Sequence, residues 1–143
     1  MGTEDIALAL EKQKLFFDSG ITLDIDFRLK NLKKLRELII SHEAEICDAM
    51  NRDFSKPPFE VLATETRFTV AEINHMIRNL RNWSGRKRVR TSLVNFAARS
   101  YIEPQPYGQV LVLSPWNYPF QLAMVPVMSA IAAGNTVILK VSQ

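Results

Sequence analysis

Apolar residues recur at two different periods along this chain, and the period changes near residue 108. Before that point they return every three or four positions, the spacing that lines one face of an α-helix. Beyond it they form short continuous runs broken by turn residues. Such runs suit strands covered on both faces and a helix that is apolar all round.

Residues 3–18 predict a first helix, with Thr3 as its N-cap, Glu4 and Asp5 at the positive end of the dipole, and Gly20 closing the segment. Ile6, Ala9, Leu10, Gln13, Phe16 and Phe17 fall on one face of it. Residues 24–50 predict one long helix, capped by Asp24. Its stripe is Ile25, Leu29, Leu32, Leu35, Ile39, Ile46 and Met50, with His42 filling the remaining step. A break at Asp53 to Lys56 precedes Pro57-Pro58, and proline is tolerated in a first helical turn because its missing N–H needs no partner there. A third helix follows along Leu62, Thr66, Thr69, Ile73, Met76, Ile77, Leu80 and Trp83, and Gly85 ends it. Residues 86–99 start basic and read as a linker. Ser100 to Glu103 reads as an edge strand pairing elsewhere, because Pro104 and Pro106 bar a central one.

From Gly108 onward the pattern is strand, helix, strand. Val110 to Leu113 is the first strand, and Ser114-Pro115 breaks it. Pro119 opens the helix, Phe120 to Ala133 is apolar all round, and Gly134-Asn135 supplies a left-handed C-terminal cap. Thr136 to Leu139 is the second strand. A unit of this length implies parallel strands joined by a right-handed crossover. The fold class is therefore α/β: N-terminal helices, then the first β-α-β of a parallel, Rossmann-like nucleotide-binding sheet.

In open parallel sheets ligands bind beyond the carboxyl ends of the strands. Ser114, Pro115, Trp116 and Asn117 fall there, and so do Lys140 and Ser142. An amide, a lysine and a hydroxyl at one rim suit a ribose or a phosphate, and the strand-to-helix turn aims backbone N–H groups at the same place. Plainer readings compete. Asn117 can simply cap the helix, Lys140 can be a solvated strand end, and Trp116 can be an apolar plug. No G-x-G-x-x-G or Walker pattern is present.

Composition narrows the field further. Net charge is +3 over 143 residues, weak ground for a polyanionic partner. The single cysteine, Cys47, excludes an internal disulfide and a multi-cysteine metal site, and no metal is expected. It reads as a buried structural thiol. Glu43 and Glu45 read as solvated, His42 as a half-buried packing residue and His75 as a helix-surface residue. Arg86, Lys87, Arg88 and Arg90, with Arg78 and Arg81 nearby, can bind phosphate. Aromatic interleaving stops at Trp83, so a solvated linker is preferred and no nucleic acid is expected. The N-terminus lacks the charge order of a secretory signal, and Phe120 to Ala133 is too short to span a bilayer. A soluble cytoplasmic protein is the expectation, with no membrane evident in this portion.

Pro115-Trp116-Asn117-Tyr118-Pro119-Phe120, then Pro126, Ala130-Ile131-Ala132-Ala133-Gly134-Asn135-Thr136 and Leu139-Lys140, resembles the N-terminal part of an aldehyde dehydrogenase. The similarity is greatest to the class 3-like, fatty-aldehyde-type branch. It extends along the whole chain, through Tyr101-Ile102-Glu103-Pro104 and Tyr107-Gly108. The resemblance implies oxidation of an aldehyde to a carboxylic acid with NAD or NADP. In that family a cysteine thiolate attacks the carbonyl, a hydride passes to the nicotinamide, and a glutamate helps water to cleave the thioester. By the same resemblance Asn117 donates its amide to the oxyanion and Lys140 holds the adenosine ribose. Leu113, Ser114, Pro115, Trp116 and Asn117 then line the cofactor cleft, together with Ser142 and Gln143.

One departure touches the cofactor. The family usually carries Lys-Pro-Ser-Glu where this chain has Lys140-Val141-Ser142-Gln143. An acid there accepts the ribose 2′-hydroxyl and repels a 2′-phosphate, so NAD and NADP both stay open. The family's nucleophilic cysteine and general-base glutamate lie far downstream, and neither is assignable here. The piece alone is therefore expected to be inactive. The resemblance divides the chain into a helical platform with basic linker (1–99), an extended oligomerisation-type segment (100–107) and the start of the NAD(P)-binding unit (108–143). It implies a homodimer for the full-length form. The alternative is a non-catalytic interaction protein that pairs with full-length dehydrogenase subunits.

Overall fold

The computed structural model describes residues 3–142. Helix α1 spans Thr3–Asp18 and stops where Gly20 takes φ 75°. The expected cap by Thr3, a matter of its side chain, lies outside what is described. Of the expected apolar face only Ala9, Gln13 and Phe17 are even half-buried; Ile6, Leu10 and Phe16 are exposed. Gln13 instead donates from Nε2 to the carbonyl of Val137 at 2.9 Å, which ties α1 to the second parallel strand.

The single long helix expected over residues 24–50 is two helices. α2 covers Ile25–Ser41, with the Asp24 side chain accepting from the Asp26 N–H as its cap. α3 covers Glu43–Phe54. Between them His42 has φ −104° and ψ 16°, outside the helical region, and it is exposed rather than half-buried. The buried stripe nevertheless continues across the break, through Ile39 before it and Cys47 and Met50 after it. Ser55 ends α3 in a left-handed conformation. Then α4 (Pro58–Val61) runs through a wider π-type turn at Leu62–Thr66 into α5 (Arg67–Trp83).

Residues expected to be pure linker contain a strand. β1 (Lys87–Val89) pairs antiparallel with β2 (Ser100–Ile102), Arg88 opposite Tyr101. Arg86 extends this ribbon by an ion pair with Glu103 at 2.9 Å and lies over the Tyr101 ring.

β3 (Gln109–Leu113), α6 (Pro119–Ala132) and β4 (Thr136–Lys140) form the expected unit, with β3 and β4 parallel and Gln109 opposite Thr136. Asn135 sets that register. Its Oδ1 accepts the Gly108 N–H at 2.8 Å, and its Nδ2 donates to the Ala130 carbonyl at 3.2 Å. The end of α6 closes as expected: Gly134 at φ 91° donates to Ile131, and the Asn135 N–H to Ala130. β3 is not covered on both faces in this chain, since Leu111 and Leu113 are 61% and 67% exposed.

The main core joins α2, α5 and α6 through Leu29, Leu32, Ile73, Met76, Leu80, Met128 and Ala132. A smaller one joins Cys47, Met50 and Val61. Arg28 is buried among these helices. It donates to the carbonyls of Ala132 at 2.9 Å and Leu23 at 2.8 Å and to the Ser84 hydroxyl. Burial lowers its pKa, and Asp24 offsets part of that effect.

Gly134 combines a left-handed backbone with a carbonyl, Thr22 O, only 3.0 Å from where a Cβ would sit. Gly134→Ala is expected to destabilise the chain by about 1–3 kcal/mol. A lowered urea midpoint with an unchanged slope checks this.

Candidate functional site at the carboxyl edge of the parallel strands

The parallel pairing brings the carboxyl ends of both strands to one rim. Leu113 lies opposite Lys140, and the Ser114 N–H continues the ladder by donating to the Lys140 carbonyl at 3.0 Å. The Ser142 hydroxyl donates to the Ser114 carbonyl. Residues 114 and 142 are thus clamped across the edge. Ser114 is buried, while Leu113, Pro115 and Lys140 are exposed. Lys140 forms no ion pair among the described residues. Gln143 lies outside the described residues.

The turn from Ser114 to Tyr118 carries the central amide. Tyr118, not Asn117, occupies the N-cap position of α6, and it does so at φ 44° with no side-chain cap bond. The capping alternative for Asn117 therefore fails. Its carboxamide is exposed and has no hydrogen-bond partner among the described residues. Trp116 is half plug, half surface: its ring lies 5.4 Å from that of Phe54, yet 53% of the residue is exposed. A cleft of about 320 Å³ opens here, walled by Phe54, Lys56, Glu60, Trp116, Asn117 and Tyr118.

Sequence reasoning missed two residues at this turn. Glu65 is completely buried. Its Oε1 accepts from Lys56 Nζ at 2.8 Å, and its Oε2 accepts the Gln121 N–H at 2.8 Å. Lys56 Nζ also lies 4.6 Å from the centre of the Tyr118 ring. The available signal was an acid on the apolar stripe, one helical turn from Val61 and from Thr69.

Other expectations sort as follows. Glu43 is not a solvated helix position: it accepts from the Thr66 hydroxyl at 2.9 Å and pairs with Arg67 at 2.7 Å. Glu45 is exposed, and His75 is exposed beside Trp83. Within the basic cluster Arg81 pairs with Asp26 and Arg86 with Glu103. Cys47 is buried, and burial pushes its thiol pKa up, with Glu43 and Asp48 adding to the rise. Among the described residues no cluster of histidine, cysteine or acids could hold a metal, and no helix is long and apolar enough to cross a membrane.

Fold and rim together define the opening β-α-β of a partial Rossmann-like nucleotide-binding fold, set on a helical platform. The whole chain, residues 1–143, matches the aldehyde dehydrogenase family, and it belongs to that family. It is 45% identical to the 4,4'-diaponeurosporen-aldehyde dehydrogenase of Staphylococcus aureus over 91% of this chain and 28% of that protein. It is 37% identical to aldehyde dehydrogenase family 3 member H1 of Arabidopsis thaliana over 99% of this chain and 29% of the relative. The substrate-bound structure of Staphylococcus aureus AldH superposes with a TM-score of 0.92 at 42% identity, over 99% of this chain and 31% of that one. The NADP+ complex of succinic semialdehyde dehydrogenase from Streptococcus pyogenes shares the fold, with a TM-score of 0.85 at 18% identity over 97% of this chain and 30% of that one. The chain thus spans less than a third of the length of these relatives.

A raised pKa leaves Cys47 almost wholly protonated at neutral pH, and burial blocks reagents. Alkylation by iodoacetamide at neutral pH is expected to be on the order of 100-fold slower in the native chain than in denaturant. Mass spectrometry over a time course measures this; rapid native labelling would contradict it.

Proposed function

We propose that this chain supplies the oxyanion donor and one edge of the cofactor cleft to an NAD(P)-dependent oxidation of an aldehyde to a carboxylic acid. The observation that carries the reading is that the Asn117 carboxamide and the Lys140 ammonium, neither with a hydrogen-bond or ion-pair partner among the described residues, lie at the carboxyl ends of two parallel strands. The donor set fits a dinucleotide. Lys140 offers a cation to ribose or phosphate, Ser142 the lone pairs of a hydroxyl oxygen whose hydrogen is given to Ser114, and Leu113 to Trp116 an apolar wall with backbone polar groups. By the family resemblance alone, Gln143 is assigned to the same set. When bound, the nicotinamide accepts a hydride from the substrate carbon.

Attack by a thiolate on the aldehyde carbon moves the C=O π pair onto oxygen. Asn117 Nδ2–H donates to that oxygen as its charge develops. A preorganised donor of this kind is worth about 3 kcal/mol of barrier. Loss of hydride from the carbon re-forms the C=O bond as a thioester, which water cleaves to acid and thiol. Cys47 is not the nucleophile, because its sulfur is buried between α3 and α4 and is held protonated. The nucleophile and the general-base glutamate belong to the portion of the relatives that this chain does not span.

The family 3 relatives support the class 3-like assignment, and the fatty-aldehyde preference is proposed from the sequence resemblance alone. Residues 100–107 serve as the oligomerisation segment of a homodimer in the cytoplasm, between the platform at 1–99 and the cofactor unit at 108–143. Tyr107, 97% exposed, and Ile102, 60% exposed, support that role. A second reading keeps the chain as a non-catalytic partner of full-length subunits. Leu93, Val94 and Phe96, each more than 85% exposed, favour it.

The purified chain is expected to show no aldehyde oxidation with NAD or NADP. In the complete dehydrogenase polypeptide Asn117→Ala is expected to lower kcat by about 10²–10³-fold, with the aldehyde KM changed only a few-fold. Turnover by the chain alone, or full activity in N117A, would refute the reading. Sedimentation with and without full-length subunits decides the second one.

A further inference from the structure

Glu65 lies in the interior, 0% exposed, in a protein where every other acid is at least partly wet. A buried carboxylate is costly unless its lone pairs are met. Each of its oxygens meets one donor. One takes the Lys56 ammonium, and the other takes the N–H of Gln121, 56 residues away. Gln121 is the third residue of α6, whose first residue is Pro119 and whose N-cap residue provides no side-chain bond. The start of α6 is therefore capped by a distant carboxylate instead of a local side chain. A negative charge there also suits the positive end of the helix dipole.

The same pair reaches the turn on its other side. Lys56 lies over the ring of Tyr118, a residue with a side chain in the left-handed region at φ 44°. Asn117 stands immediately before Tyr118, and its carboxamide has no partner of its own among the described residues. The direction in which its side chain leaves the chain is therefore set by the backbone at 116–118, and Lys56 bears on that segment through the Tyr118 ring while Glu65 anchors the helix turn that follows through the Gln121 N–H. The carboxylate sits in the π-type turn Leu62–Thr66, whose extra residue per turn shifts a side chain relative to a regular helix. Such turns are frequent at functional sites.

We infer that Lys56 and Glu65 are positioning residues that fix the Asn117 carboxamide for oxyanion donation. This rests on the oxyanion reading of Asn117 above. Lys56 borders the cleft that holds Asn117, Glu65 is buried beneath it, and the pair acts through Tyr118 and the first turn of α6.

The test is a mutant cycle in the complete dehydrogenase polypeptide. Lys56→Met with Glu65→Leu replaces the ion pair by apolar groups, a change that buried pairs often tolerate without unfolding. It is expected to lower kcat by about 10- to 100-fold, with both KM values within about 3-fold. In an Asn117→Ala background the same change is expected to cost less than about 2-fold, because the group being aimed is gone. Lys56→Met with Glu65→Gln keeps an acceptor for Gln121 and is expected to recover most of the loss, leaving kcat about 3- to 10-fold down. Its loss must likewise vanish in N117A. It carries the cycle if the apolar pair does not fold. Equal losses in the native and N117A backgrounds, or no loss at all in a folded variant, would overturn the positioning role while leaving the oxyanion reading intact. Full activity of N117A itself would overturn both.

Discussion

Helix α6 is apolar on nearly every side, yet its two ends are held by buried charges from other helices. Glu65 accepts an N–H at its first turn, and Arg28 donates to the Ala132 carbonyl at its last. Each charge has the sign that the helix dipole favours at that end. Hydrogen bonds to ionised groups contribute more than neutral ones, about 1.5–3 kcal/mol each. They are also directional, which apolar packing is not. Met128 and Ala132 bury the middle of the helix against α2 and α5, but hydrophobic contact alone leaves an all-apolar cylinder free to slide or rotate. The end charges remove that freedom.

Once α6 is fixed, the strands follow. Its C-terminal cap delivers Asn135, whose side chain bonds the Gly108 N–H and so starts β3 and β4 in register. Its N-terminal turn delivers Asn117 and Tyr118 at the opposite end of the same strands. One helix thus links the pin that aligns the sheet to the turn that carries the candidate amide. The rim is consequently hydrogen-bonded on the protein side and open outward. Leu111 and Leu113 leave an apolar surface of the sheet exposed.

The chemistry divides in the same way. The groups on this chain suit binding and polarising: an amide, a lysine and hydroxyls around a parallel edge. The lone cysteine is buried among Met50, Val61 and Phe120, where a low dielectric favours the neutral thiol. The proposed oxyanion donor and an accessible cysteine thiolate therefore do not both come from these 143 residues, which span under a third of the relatives' length.

The sequence by itself determined the types of element and the direction of the two strands. Period and punctuation are local: Pro119 opens a helix, Gly134 closes one, and a strand-helix-strand of that length leaves only a parallel pairing. It also determined that Asn117 and Lys140 share a rim, because Asn117 follows the carboxyl end of the first strand and Lys140 stands at that of the second. Tertiary structure decided what local patterns cannot encode. The turn at His42 is hidden because the buried stripe of α2 carries on into α3, with no proline or glycine to mark it. β1 is hidden because Lys87 and Arg88 contribute backbone to the pairing while their side chains stay in water. Glu65 shows as an odd acid on an apolar stripe, but its partners, Lys56 across two prolines and Gln121 in another helix, meet only when the helices pack. A buried charge acquires its meaning from whatever neutralises it, and that neighbour is set by the fold.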